Sequence, residues 1–295
     1  MKVRIGVGLG GANIAPGELG LIVGRLEGLG FDSLWLAEVL TAGGPDPVAG
    51  LAWAAARSTK LKLGTTILAP GRNVVRLAKS LADVDALSEG RLLVTLVPGL
   101  GRPPERSAIG PPPAERGAIL DDALPLLRRL WGGEEVTHRG PAGDLTGVRL
   151  ARLPVQAPLE PWLGGLVPAS LRRCGRLADG WLPSGCTPAD AVGGRQVIDE
   201  AAEAAGRRIS PEHFGVSIGY STEPLDGPTR AAVESRSHGR RAEETVPVGY
   251  PALRSLLEEF IACGFSKFVV RPLGSPPAWD RELEDLYSAV GDLQT

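Results

Sequence analysis

The stretch that decides the fold is "LKLGTTILAPGRNVVRLAKSLADVDALSEGRLLVTLV", residues 61–97. It opens with a short apolar run, 61–69, and continues after a turn with apolar residues at helical spacing over 73–90. Asn73 stands at the position where an N-cap residue accepts hydrogen bonds from the first amides of a helix. A second apolar run, 91–97, follows at once. This order predicts two parallel strands joined by a crossover helix.

The same unit repeats along the chain, about eight times in 295 residues. Strand-like runs are found at 3–9, 31–38, 61–69, 91–97, 161–165, 180–184, 213–220 and 267–272. Eight strand–helix pairs favour an α/β (β/α)8 TIM barrel, in one domain spanning 1–295. The competing architecture is a doubly wound sheet, which usually needs fewer strands.

Three segments depart from the repeat. Residues 136–158 hold turn glycines between short alternating runs, which predicts a β-hairpin excursion after the fourth helix. Residues 98–113 and 221–249 follow the fourth and seventh strands, so in a barrel both lie on the C-terminal face, where active sites form. We expect them to be lids or substrate walls, although 221–249 also has the composition of a disordered insertion.

Composition limits the classes of function. Hydrophobic residues make up 43% and charged residues 22%, which is typical of a packed globule, and a net charge of −2 argues against a nucleic-acid partner. No apolar run is long enough to predict a membrane span. Three separated cysteines indicate reduced thiols, hence a cytoplasmic protein, and three scattered histidines give no metal site.

The stretch "GVGLGG", residues 6–11, contains G-x-G-x-x-G, a pattern that opens a helix in dinucleotide-binding folds. Here the next helix begins only near Pro16, which is too late for that motif. We interpret the stretch as the end of the first barrel strand and its exit loop. Gly8, Gly10 and Gly11 would keep the barrel mouth open.

Six stretches keep a fixed order and spacing over nearly the whole chain: "GFDSLWLAE" (30–38), 61–92, "GVRLARLPVQAP" (147–158), "PWLGG" (161–165), "RLADGWLP" (176–183) and "FVVRP" (268–272). Together they resemble the bacterial luciferase-like family of flavin- and coenzyme F420-dependent oxidoreductases. The resemblance implies hydride transfer between F420 and an unidentified small organic substrate. An FMN-dependent monooxygenase and a non-catalytic flavin- or deazaflavin-binding relative are the alternatives. The family also suggests a homodimer.

The resemblance implies a cofactor site at the strand ends, made by Gly8, Glu38, Thr65, Thr66, Ile67, Pro98, Gly99, Gly164, Gly165, Trp181, Leu182, Pro183 and Ser184. Glu38 matches an acidic position that faces the ring and is the candidate catalytic residue, with an arginine ion pair as the alternative. In the family the third strand bulges at a non-prolyl cis peptide, which places one at Thr66–Ile67.

Several positions depart from the family pattern. Val39 replaces a histidine found in many F420-dependent members, and Leu100 replaces the glutamate of the sugar-phosphate dehydrogenase branch. Phosphorylated-sugar oxidation is therefore disfavoured, and an apolar organic substrate fits better. Val39, Leu100 and Arg271, which ends the eighth strand, are the candidate substrate residues, with a structural ion pair as the alternative for Arg271.

Overall fold

The predicted barrel is confirmed by the computed structural model, which describes residues 1–10, 12–15, 17–99, 103–237 and 239–295. Eight parallel strands form one sheet in the order β8-β7-β4-β3-β2-β1-β10-β9. These are β1 (Arg4–Gly8), β2 (Ser33–Ala37), β3 (Lys62–Leu68), β4 (Leu92–Val97), β7 (Pro161–Leu163), β8 (Gly180–Trp181), β9 (Gly215–Tyr220) and β10 (Lys267–Pro272). Parallel bridges from Trp181 to Phe214 and from Ser184 to Ser217 bring the two edges together, so the barrel is nearly closed.

Helices lie between the barrel strands and cover the outside of the sheet. They are α1 (Glu18–Leu29), α2 (Pro47–Ala55), α3 (Val74–Leu87), α5 (Pro113–Trp131), α6 (Pro168–Leu177), α7 (Pro188–Ala204), α10 (Tyr250–Ala262) and α11 (Trp279–Val290). The predicted cap is present, because the Asn73 carboxamide oxygen accepts from the Val75 and Arg76 amides at 3.1 and 3.0 Å. Among the helices described, none is long and apolar enough to cross a membrane.

The three departures from the repeat are additions to the barrel. The predicted hairpin is formed by β5 (Val136–His138) and β6 (Leu145–Val148), which pair antiparallel after α5. Segment 98–113 contains α4 (Glu105–Ala108), and segment 221–249 contains α8 (Gly227–Glu234) and α9 (Ala242–Thr245). Both segments therefore contain short helices on the C-terminal face of the barrel.

Two indole rings fill the barrel interior below its mouth. A Cβ atom on Gly64 would overlap the Trp35 ring, and one on Gly180 would overlap the Trp162 ring, so these four residues face the barrel axis. Leu182 and Val269 pack with Trp35, and the Trp35 indole donates to the Ser33 hydroxyl at 2.9 Å. Because side chains alternate along a strand, the residue two positions further along each strand also faces the axis. These residues form the next layer, which faces the mouth.

Candidate functional site

Small side chains form most of the floor of the barrel mouth. By strand alternation, the layer above the indoles consists of Gly8, Ala37, Thr66, Val97, Gly164, Ser184, Gly219 and Arg271. A Cβ on Gly8 would lie 3.0 Å from Val269 Cγ1, and one on Gly164 would lie 3.1 Å from Val97 Cγ1. At these two positions the floor is therefore packed against neighbouring valines, and glycine adds no side chain to the mouth.

The turn after β7 brings backbone to the mouth. Gly165 has φ +102°, a left-handed conformation that a side chain would strain. Its carbonyl accepts from the Trp181 indole at 3.0 Å, which ties the turn to β8. Beside it, a cavity of about 480 Å³ lies between the α6 N-terminus, Gly185 and Ser237. The cavity begins at Leu166, directly after these two glycines, while Gly164 itself is buried, so their contact with a cofactor stays a prediction.

Glu38 is held in an ion pair. Its Oε1 contacts the Arg72 guanidinium, its Oε2 accepts from the Leu68 amide at 2.8 Å, and only 5% of its side chain is exposed. Arg72 also lies 3.7 Å from Asp46, the residue that caps α2. Both carboxylate oxygens are engaged, so the arginine-pair alternative describes the geometry. The catalytic assignment of Glu38 stays a prediction.

The expected bulge in the third strand is wrong. Cis peptide bonds in the described part of the chain are Pro103–Pro104 and Ala157–Pro158, and the Thr66–Ile67 bond is trans. The reason lies in the ladder: Thr66, Ile67 and Leu68 pair in unbroken register with β4, which leaves no extra residue to form a bulge. Along this regular strand Thr66 faces the mouth, whereas the buried side chains of Thr65 and Ile67 face the helices.

The remaining predicted residues divide between the mouth and the core. Ser184 is exposed at the mouth, and Pro98 and Gly99 are half-buried after β4. Trp181 is fully buried on the outer side of the sheet, against Gly194 of α7. Pro183 is buried, and Leu182 faces the axis one layer below the mouth. Val39 is half-buried in the turn after β2, while Gly11 and Leu100 lie outside the described residues.

Sequence reasoning missed Glu105 in segment 98–113. This buried carboxylate accepts from the Thr41 hydroxyl at 2.6 Å, the Thr41 amide at 2.8 Å and the Leu40 amide at 3.3 Å. Burial works to raise its pKa, but these three hydrogen bonds outweigh burial and lower the pKa below its usual value. Glu105 therefore joins the loop after β4 to the loop after β2 through these hydrogen bonds, which we call the Glu105 latch. Nothing around it in "PPERSA" marks this role.

Arg116 supports the same segment from α5. Its guanidinium donates to the Pro111 carbonyl at 2.8 Å and to the Arg106 carbonyl at 2.9 Å, and its side chain is buried. Glu105 and Arg116 together bind residues 103–113 to the loop after β2 and to α5.

A second, smaller cavity lies at the opposite end of the barrel. It has about 70 Å³ and extends from the Trp35 and Trp162 rings to the charged groups of Arg4, Asp32 and Lys267. The indoles separate it from the mouth, so it plays no part in the candidate site.

The fold and the mouth define a (β/α)8-barrel enzyme whose site lies at the C-terminal ends of its strands. The chain belongs to the luciferase-like monooxygenase family, whose sequence pattern matches residues 1–257. This confirms the resemblance inferred from the sequence.

Similar proteins agree with this placement. An F420-dependent glucose-6-phosphate dehydrogenase of Kineococcus radiotolerans is 28% identical over 192 residues, which are 61% of this chain and 56% of that protein. One of Kribbella flavida is 24% identical over 316 aligned positions, covering 93% of both chains. The F420-dependent tetrahydromethanopterin reductase of Methanopyrus kandleri superposes with a TM-score of 0.81 at 17% identity over 100% of both chains, which shows the shared fold.

Proposed function

We propose that this enzyme transfers a hydride between coenzyme F420 and a small organic substrate. The observation that carries the proposal is the floor of small residues across the mouth, where Gly8 and Gly164 add no side chain and Thr66 is half-buried. The relatives include F420-dependent glucose-6-phosphate dehydrogenases, which supports this cofactor.

The residues present fit a planar, phosphate-bearing cofactor. Thr66 and Gly164 would lie under the ring, and Ser184 would line its edge. The 480 Å³ cavity, which begins at Leu166 directly after Gly165, would receive the phosphate-bearing chain. The regular β3 departs from the site that the family resemblance implies, as do Thr65, Ile67 and Trp181, whose side chains face away from the mouth. The bound deazaflavin would supply a carbon that accepts or gives a hydride.

The protein's own contribution is positioning and shielding. Segment 103–113, held by Glu105 and Arg116, would cover the reacting face and exclude water. Val39 and Leu100, the latter outside the described residues, are proposed to line the substrate side, and a proton would come from solvent or from Glu38. We propose that residues 1–295 act as one domain and form a homodimer, which light scattering would test.

Fluorescence titration with F420 and with FMN tests the cofactor. We expect the protein to bind F420 tightly and FMN weakly, and tight FMN binding without F420 binding would replace the proposal by an FMN-dependent monooxygenase. Gly164→Val should weaken F420 binding about tenfold or more, because its side chain enters the floor. Gly193→Val on α7, where nothing lies within 4 Å of an added Cβ, is the control and should bind like the unaltered protein.

A further inference from the structure

Arg271 is the charged member of the mouth layer. It follows Val269 on the axis-facing side of β10, and its guanidinium extends along the glycines of the neighbouring strands. A Cβ on Gly219 would lie 3.3 Å from its Nη2, and a Cβ on Gly10 would lie 4.0 Å from its Nη1. Glycine at Gly10 and Gly219 therefore leaves room for this side chain across the end of the barrel.

The guanidinium has no hydrogen-bond acceptor and no carboxylate partner within the described ranges of the chain. Burial and, to a smaller extent, the nearby positive charge of Arg236 lower the pKa of Arg271 to about 10. The residue is half-buried at the mouth and is not fully enclosed by the protein. Arginines in such surroundings are normally paired, because an uncompensated charge is costly to desolvate.

Arg91 shows what a structural arginine looks like in this protein. At the other end of the barrel, its guanidinium donates to the Ser58 hydroxyl at 2.9 Å and to backbone carbonyls that include those of Leu61, at 2.8 Å, and Ser88, at 2.7 Å. Arg271 has none of these bonds within the same described residues. Its five donors are available to a ligand that supplies the missing acceptor.

We propose that Arg271 binds a carboxylate or phosphate group of the substrate, so that the natural substrate is an anion and not the apolar molecule that the sequence favoured. This inference rests on the proposed function, which it deepens by naming the substrate's charge. Guanidinium groups bind both anions through two parallel hydrogen bonds. Arg236 belongs to the 221–249 segment that was predicted to be a substrate wall, and it brings a second positive charge to this side.

The anion belongs to the substrate because of where β10 lies. In the strand order β10 is opposite β4, across the barrel from Thr66 on β3 and Gly164 after β7. Thr66 and Gly164, which would lie under the ring, are therefore on the far side, whereas Gly8 of the floor is on β1, the neighbour of β10. An anion on Arg271 would therefore orient the substrate across the mouth toward the cofactor.

The test compares two anions with an uncharged isostere of one of them. Benzoate, benzamide and inorganic phosphate are titrated by calorimetry into the F420-loaded protein, its Arg271→Gln and Arg271→Lys variants, and the surface control Arg281→Gln. We expect benzoate or phosphate to bind the unaltered protein, and to bind Arg271→Gln about 10- to 100-fold more weakly. Arg271→Lys should recover part of the affinity, Arg281→Gln all of it, and benzamide binding should not depend on Arg271.

Thermal unfolding without ligand separates a binding arginine from a structural one. Since Arg271 has an uncompensated charge, Arg271→Gln should keep the Tm or raise it by about 2 °C, whereas Arg91→Gln should lower it. A clear fall in Tm for Arg271→Gln would mark Arg271 as structural.

Three other results would overturn the inference. These are equal anion binding by Arg271→Gln and the unaltered protein, no anion binding by the unaltered protein, and a loss of F420 affinity in Arg271→Gln that matches its loss of anion affinity. The last would assign Arg271 to an anionic group of the cofactor. If the unaltered protein does not bind F420, the proposed function fails, while the same probes added to the unloaded protein still test Arg271.

Discussion

At the scale of single residues, the acidic residue that ends β2 shows how one side chain can fit two interpretations. The Glu38 position matches a ring-facing acid of the family, yet its carboxylate is shared between the Arg72 guanidinium and the Leu68 amide. Arg72 also approaches Asp46 at the start of α2. The pair therefore joins the two segments at the ends of β2 and β3, and it fixes the shape of the mouth beside the proposed cofactor floor.

Removing the arginine of this pair should be costly. We expect Arg72→Met to lower the free energy of unfolding by about 1–3 kcal/mol, because a nearly buried carboxylate keeps only one amide donor. Urea unfolding at pH 7 measures the change. Arg76→Met, at an exposed site in the first turn of α3, should stay within about 0.5 kcal/mol of the unaltered protein. Equal stability of the two variants would show that Glu38 does not depend on Arg72.

At the scale of elements, local patterns in the sequence predicted the barrel because each unit carries its own signals. Asn73 caps α3, and apolar runs such as 91–97 form buried strands. The contacts of segment 98–113 could not be predicted in this way. Glu105 contacts residues 40 and 41, more than sixty positions earlier, and only the closed barrel brings those two loops together. The regular course of β3 likewise depends on its pairing with β4.

The Glu105 latch should limit local opening of residues 103–113. Glu105→Ala removes three hydrogen bonds to a charged acceptor, so we expect amides of 103–113 to exchange hydrogen about tenfold faster or more at pH 7. Mass spectrometry of that peptide measures the rate. Glu115→Ala, an exposed glutamate at the start of α5, is the control and should leave exchange unchanged. Equal exchange rates in both variants would mean that residues 103–113 are held in place without Glu105, for example by Arg116.

The same latch should depend on pH in one direction. The folded-state pKa of Glu105 is lower than its usual value of 4.5, so the latch contributes fully above about pH 4.5. Its contribution is lost as the pH falls through the lower folded-state pKa, when the carboxylate is protonated. Between pH 6 and 8 Glu105 stays ionised. Hydrogen exchange of the 103–113 amides in the unaltered protein, relative to the intrinsic exchange rate at each pH, should accordingly stay constant over this range.

At the scale of the whole molecule, the barrel interior changes character from one end to the other. Charged groups close the N-terminal end, where Asp32 lies 3.6 Å from Arg4 and 3.7 Å from Lys62. The Trp35 and Trp162 rings fill the middle, and small residues with Arg271 line the mouth. Because the indole layer blocks the axis, a ligand at the mouth is separated from the small cavity at the N-terminal end.

This layering predicts opposite effects for one substitution at two sites. Gly64→Ala would place a methyl group in the Trp35 ring and should lower the free energy of unfolding by about 1–3 kcal/mol. Gly24→Ala in α1, where nothing lies within 4 Å of the added Cβ, should raise it by about 0.4–1 kcal/mol, because alanine restricts the unfolded chain. Urea unfolding of both variants decides the matter. A neutral or stabilising Gly64→Ala would show that the Trp35 ring moves aside without cost. The description of the indoles as a rigid layer below the mouth would then be wrong.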